Sequence, residues 1–291
     1  MGNNKMIVEE RSRDIGHFLV GRLLPFKEKR QVGPFTFIDH MGPSMVGPDQ
    51  YMDVDQHPHI GLSTLTYLYE GQIEHRDSTG AIQVIEPGSV NLMIAGKGVS
   101  HTERTPPLLR NGLPHLVHGY QIWIALPTDL EETDPKFHHI RAEDLPHWEE
   151  SGISFRLIIG EIMNRAAPTP ATSPMYMMDL RNTTAESQAF SFDHHFYGEI
   201  AFVVVKGGIM ANGERIEAGQ MLIAKAIPEC SIELSVGCML LIFGGEPLPE
   251  PRYLHWNFVS SSKQRLEIAK EDWKNRKFPT VPNDDTYIPL P

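Results

Sequence analysis

Cysteine is nearly absent from this sequence. Cys230 and Cys238 are the two in 291 residues. They form no CxxC pair, so a disulfide framework is not expected, and two small buried side chains in a reducing cytoplasm account for them. Long apolar runs are missing as well. No stretch approaches the ~20 residues that a membrane helix needs. The opening segment MGNNKMIVEERSRDIGHFLV lacks the continuous apolar core of a signal peptide. Gly2 invites myristoylation, but Met6 stands where that motif wants Ser or Thr. Positive charge is in deficit, with 26 Lys and Arg against 37 Asp and Glu and a net charge of -11. Such a surface repels DNA and anionic lipid, so neither direct nucleic-acid binding nor membrane binding is expected.

What is present reads as β-structure. An apolar content of 41% over this length supports one large domain or two ordinary ones. Short runs rich in Val, Ile, Phe, Tyr and Thr alternate with Gly, Pro, Asn and Asp: STLTYLYEG, AIQVIEPG, VNLMIAG, YQIWIALP, ISFRLIIG, EIAFVVVKGG, QMLIAKAIP and CMLLIFGG. This spacing predicts an antiparallel sandwich or barrel. The segment MNRAAPTPATSP, Met163 to Pro174, interrupts the pattern and places a boundary near residue 166. Near the end, Ser261 with Gln264 forms a capping-box pattern. Leu266, Ala269 and Trp273 then recur at helical spacing, which predicts one amphipathic helix docked on the sheet.

The two halves resemble each other. With Gly71 aligned on Gly207, TLTYLYEGQI overlays IAFVVVKGGI. Further on, IEPGSVNLMIAG overlays IEAGQMLIAKAI, which puts Gly88 on Gly219. Both copies read strand, turn, strand, glycine turn, strand, as two similar barrels would. The polar residues do not repeat. The offsets of His57 and His59 fall on Asp193 and His195, and those of His101 and Glu103 fall on Ile232 and Leu234. No second metal site is therefore expected.

His57 and His59 lie at i and i+2 of an extended segment, so their side chains share a face. Pro58 between them is tolerable at a strand start or edge. His101 and Glu103 form a second i, i+2 pair after the glycines of AGKG, which permit a tight approach. Three imidazole nitrogens and a carboxylate can surround a first-row divalent metal. Six-coordinate iron would leave two positions for water, O₂ or substrate.

The segments HPHIG, TYLYEG, HRDSTG, EPG, AGKGVSHTE and YQIWIALP, with GPFTFIDHMGP upstream and GEPLPEP near the end, resemble the pirin family of bicupins. Ordinary cupins carry a glutamate shortly after the first histidine pair. Here Ser63 occupies that neighbourhood and the acid arrives as Glu103, the pirin arrangement. The resemblance implies an all-β fold of two cupin-type antiparallel barrels with a C-terminal helix. Residues 1–165 would form the metal-binding cupin, and residues 166–291 a cupin without metal that ends in the helix. It also implies His57, His59, His101 and Glu103 as ligands of one metal, Fe(II) first, with Cu, Mn, Ni, Co or Zn as alternatives. The implied activity is that of a quercetin 2,3-dioxygenase acting on a flavonol or similar enolizable aromatic with O₂. Glu103 would take the flavonol proton, and ring cleavage would release carbon monoxide. The alternative is a non-catalytic, iron-binding, redox-sensing regulator with a protein partner, although no docking motif is visible. The tail RYLHWNFVSSSKQRLEIAKEDWK looks like a bacterial branch and departs from the animal pattern.

The remaining polar residues have plainer expectations. His75, Asp77 and Ser78 read as hairpin-turn chemistry. Gln121 and Trp123 share a face that either lines the site or packs the core. His118 is a candidate for indirect support of the metal. His138, His139, His147, His194 and His195 read as loop positions, and Glu131, Glu132 and Asp134 as a solvated loop.

Overall fold

The computed structural model describes residues 5–15, 18–191, 195–225 and 231–291. Asp193, His194 and Cys230 lie outside the described residues. The fold is mostly β-structure with one C-terminal helix, as expected. It divides into two compact units.

The first unit gathers Ser12–Arg22, Phe37–Ala142 and Leu248–Pro291. It holds a four-stranded sheet in the order Asp53–His59, Val99–Arg104, Ile73–Asp77, Ile82–Ile85. A larger sheet contains Lys136–Ile140, Val90–Ile94, Leu62–Glu70, His115–Ala125 and Phe35–Val46 in that order. Leu62–Glu70 is buried on both faces over nearly its whole length, which is why it reads as an almost unbroken apolar and threonine run. The second unit gathers residues up to Arg11, Leu23–Thr36 and Glu143–Pro247. Its four-stranded sheet runs Gln188–Ser191, Ser231–Leu234, Gly208–Ala211, Glu214–Glu217. This is the order of the first unit's small sheet, strand for strand. The central strands of the larger sheet also correspond, with Gln220–Lys225, Glu199–Lys206 and Met239–Gly245 in the places of Val90–Ile94, Leu62–Glu70 and His115–Ala125. The repeat read from the sequence is thus one topology used twice.

The units differ from the contiguous division at residues 165 and 166. Strand Met6–Glu9 pairs with Gln220–Lys225 of the second half, covering what would otherwise be a bare edge. The tail joins the first half. Leu266, Ala269 and Trp273 of the helix Lys263–Lys274 pack with Ile60, Phe258 and Phe278. The N-cap is Ser262, whose side chain accepts from the Arg265 amide, one residue later than the capping box suggested. Ser261 turns instead to Glu131. His138 and His139 lie on the strand Lys136–Ile140, and His147 begins the strand His147–Glu150; these are not loops.

Glu131 also departs from its expected place in a solvated loop. Its carboxylate accepts from the Ser260 and Ser261 hydroxyls and from the Ser261 amide, and it pairs with Arg252 at 2.9 Å. Both side chains are almost fully buried, at 1% exposure for Arg252 and 6% for Glu131. Arg252 further donates to the Leu126 carbonyl. This cluster ties the tail to the first unit. Glu131→Ala would leave the buried Arg252 charge with the exposed Glu250 at 3.8 Å in place of its buried partner, at a cost of about 3 kcal/mol. Urea unfolding should read that loss. Lys97→Ala, which breaks an exposed pair with Asp134, should leave the unfolding midpoint in place.

Candidate metal centre

Two strands of the small sheet bring the expected residues together. Val99–Arg104 pairs antiparallel with Asp53–His59 so that His101 lies opposite His57. A register irregularity follows between His101 and Glu103. The approach to this strand depends on Gly96, whose φ is +50° and where a Cβ would meet the Thr133 carbonyl oxygen at 2.0 Å. That is the close passage expected of AGKG. His57, His59 and His101 each offer a ring nitrogen within 4.8 Å of the other two. Glu103 falls in a second group of the same kind, with His101 and His75. The four expected residues are therefore adjacent through His101 and do not form one tight set. All are buried, and the exposure that remains belongs to His57 and Glu103, at 7% and 8%.

The ring nitrogens are ordered. His57 Nδ1 lies 2.8 Å from the Asp55 carbonyl oxygen and His59 Nδ1 lies 3.2 Å from that of Asn257. A carbonyl only accepts, so each Nδ1 carries the proton and each Nε2 keeps its lone pair. His59 Nε2 and His101 Nε2 stand 3.0 Å apart. Two nitrogen donors at right angles around a metal, each at roughly 2.1 Å, would be about 3 Å apart. The donor set thus fits a divalent transition metal. Burial lowers the pKa of His57 to about 4, and burial with neighbouring imidazoles lowers His59 and His101 well below the usual value. Imidazoles held neutral are the form that binds metal. Burial raises the Glu103 carboxyl, against the opposing pull of His75 and the Gln121 hydrogen bond.

Gln121 reaches the site, and Trp123 does both of the things left open by the sequence, touching His59 and packing in the core with Phe37 and Leu62. Gln121 Nε2 donates to Glu103 Oε1 at 2.9 Å, and Thr66 Oγ1 donates to Gln121 Oε1 at 2.7 Å. Trp123 meets His59 edge-on at 5.1 Å and stacks on Phe37 at 3.8 Å. The described hydrogen bond of His118 goes to His40, Nε2 to Nε2 at 3.0 Å, and not to the centre. His75 and Asp77 were missed. They lie on the strand Ile73–Asp77 and both are buried, while Asp77 also closes the expected turn, its Oδ1 accepting from the Thr79 and Ala81 amides. The signal was available, since His75 and Asp77 are an i, i+2 pair like His57 and His59. His195 lies on a turn 3.5 Å from Asn164, away from any metal group among the described residues.

The second unit has the same strands without the chemistry. Ile209 pairs with Ile216 as Ile73 pairs with Ile85, so Ala211 is the counterpart of His75, while Asp193, the expected counterpart of His57, lies outside the described residues. Ile232 pairs with Phe190, and Leu234 with Ile209, in the ladders of the small sheet. All four belong to one apolar cluster.

Two barrels of one topology, one carrying a buried histidine cluster and the other filled by aliphatic and aromatic side chains, define a bicupin. Residues 17–124 match the family described as Pirin, and residues 178–279 match the Pirin C-terminal cupin domain. The chain is 41% identical over 291 residues to the pirin-like protein of Caulobacter vibrioides, covering 98% of this chain and 99% of that one. It belongs to the pirin family. Its structure is similar to that of a quercetin 2,3-dioxygenase from Acinetobacter baumannii, with a TM-score of 0.90 and 34% identity over 99% of this chain and 95% of that one. The fold is also shared by the Escherichia coli bacterial pirin YhhW in complex with nickel(II), with a TM-score of 0.65 and 19% identity over 84% of this chain and all of that one.

The lowered imidazole pKa values give a signed pH dependence. Between about pH 6.5 and pH 4 the unfolded chain binds a proton at His57 that the folded, metal-free chain does not. Stability therefore falls as pH falls through this window. His57 alone accounts for about 2 kcal/mol between pH 7.5 and pH 5. The urea midpoint of metal-free protein at the two pH values checks this, with the loss expected to shrink in His57→Ala.

Proposed function

We propose that the protein is a metal-dependent dioxygenase of the quercetinase type, acting on a flavonol or similar enolizable aromatic. His57, His59, His101 and Glu103 hold one metal ion, with Fe(II) the first candidate and Cu, Mn, Ni, Co or Zn the alternatives. The observation that carries this reading is the convergence of buried, neutral imidazole nitrogens beside a carboxylate of raised pKa. The likeness to the Acinetobacter baumannii quercetin 2,3-dioxygenase supports the reaction class. A bound divalent metal supplies Lewis acidity and a redox partner for O₂.

The chain's own groups do the rest. Glu103 takes the proton of the substrate's enolic hydroxyl, a task that its burial favours by making the carboxylate more basic. Gln121 holds that carboxylate through Oε1 and is itself held by Thr66. Trp123 against His59 and Phe137 stacked on His75 surround the imidazoles with apolar rings, which exclude water. The near-absence of cysteine fits work in a reducing cytoplasm.

Elemental analysis should find one metal per chain, falling close to zero in the His57→Ala/His101→Ala double variant and unchanged in His195→Ala. Two metals per chain, or retention in the double variant, would sink the assignment. Glu103→Gln keeps an oxygen donor and loses most basicity. O₂ uptake with quercetin, normalised to bound iron, should drop about 10²–10⁴-fold. Unchanged turnover per iron would remove Glu103 as the base. No uptake by fully loaded wild type across several metals and flavonols would favour a non-catalytic regulator.

A further inference from the structure

His57 and His59 have their tautomers fixed by backbone carbonyls, but His101 does not. It lies on a strand paired along both edges, where the neighbouring carbonyls are engaged in the ladders. Its Nδ1 faces another imidazole nitrogen, His75 Nδ1, at 3.4 Å. Two imidazole nitrogens can form a hydrogen bond only if one of them is unprotonated, so the tautomer of His75 decides that of His101.

Asp77 decides the tautomer of His75. The carboxylate is fully buried, and its Oδ1 is occupied, accepting from the Thr79 amide at 2.8 Å, the Thr79 hydroxyl at 2.6 Å and the Ala81 amide at 3.3 Å. Its Oδ2 lies 3.0 Å from His75 Nε2. A carboxylate accepts, so His75 donates from Nε2 and presents a lone pair at Nδ1. His101 then donates from Nδ1, and its Nε2 lone pair faces His59. Phe137, stacked on His75 at 4.5 Å, fixes the plane of the ring.

We infer that His75 and Asp77 are positioning residues of the metal centre. Asp77 sets the tautomer of His75, and His75 sets the tautomer of His101 that leaves its Nε2 free to bind metal. This rests on the reading that His57, His59 and His101 hold the metal. The second unit adds independent support. Ile209 pairs with Ile216 as Ile73 pairs with Ile85, so Ala211 stands at the position of His75 and Gly213 at that of Asp77. Neither the imidazole nor the carboxylate repeats in the unit that has no metal group among the described residues.

The test reads tautomers and metal affinity in the full chain. In metal-free protein with ¹⁵N-labelled histidine, long-range ¹H–¹⁵N correlations should show protons on Nδ1 of His57, His59 and His101, and on Nε2 of His75. In Asp77→Asn the amide oxygen replaces Oδ1 at its three donors, so the amide NH₂ meets His75 Nε2. Both His75 and His101 should reverse their tautomers. Affinity for Co(II), measured by titration against a chelator, should fall about 10–100-fold. His75→Leu should show a similar fall, and His75→Gln, which keeps an acceptor, should recover most of it. If Asp77→Asn does not fold, the His75→Leu and His75→Gln pair with the wild-type tautomers decides. A proton on His101 Nε2, a doubly protonated His75, or wild-type affinity in both Asp77→Asn and His75→Leu overturns the inference. So does a His75→Leu loss as complete as that of His57→Ala/His101→Ala, which would make His75 a ligand. Wild type that binds no Co(II) sinks the metal reading itself, and the tautomers still judge the pair.

Discussion

The strand Val99–Arg104 carries the constraint on which the rest of the site depends. It lies between two neighbours, and its register places His101 opposite His57 on one side and opposite Asp77 on the other. A slip of one residue would turn His101 and Glu103 to the opposite face and bring Ser100, Thr102 and Arg104 in their place. The register is held at both ends. Gly96 allows the entering chain to pass Thr133 closely, and Arg104 at the exit bonds to Asp55, Asp284 and Thr286.

Those last two partners belong to the C-terminal tail, which explains why the tail packs with the first half. The Gln56 amide donates to Thr286, its carbonyl accepts from Ile288, and its side chain bonds to Thr286 and Val281. Gln56 is the immediate neighbour of His57. Asn257, also in the tail, supplies the carbonyl that orients His59. The histidine cluster is thus completed by residues some 200 positions away from its first pair. The buried Arg252–Glu131 pair anchors the same segment.

A dry site of this kind favours neutral imidazoles, because burial penalises the charged form and each neighbouring ring adds to that penalty. It also needs each ring to point its lone pair inward, which burial alone cannot arrange. Carbonyls of Asp55 and Asn257, and the imidazole of His75, supply that orientation. In the second unit the small sheet carries Phe190, Ile209, Ala211, Ile232 and Leu234 in one apolar cluster, and these need no such partners.

The sequence by itself determined the β class, the repeat, the pairing of His57 with His59 and of His101 with Glu103, and the apolar character of Ile232 and Leu234. These are local facts: strand periodicity fixes which neighbours share a face, and turn residues fix where strands end. Tertiary structure decided the rest. That the tail belongs with the first half and that Glu131 is buried against Arg252 both depend on which segments meet across long stretches of chain. His75 and Asp77 show the division most clearly. Their i, i+2 spacing was legible, but a histidine–aspartate pair next to a glycine turn is ordinary in sequence. Only the ladder that sets Asp77 opposite His101 and His75 opposite Glu103 gives the pair a place at the centre, because hydrogen bonding is decided by distances of about 3 Å that no sequence spacing specifies.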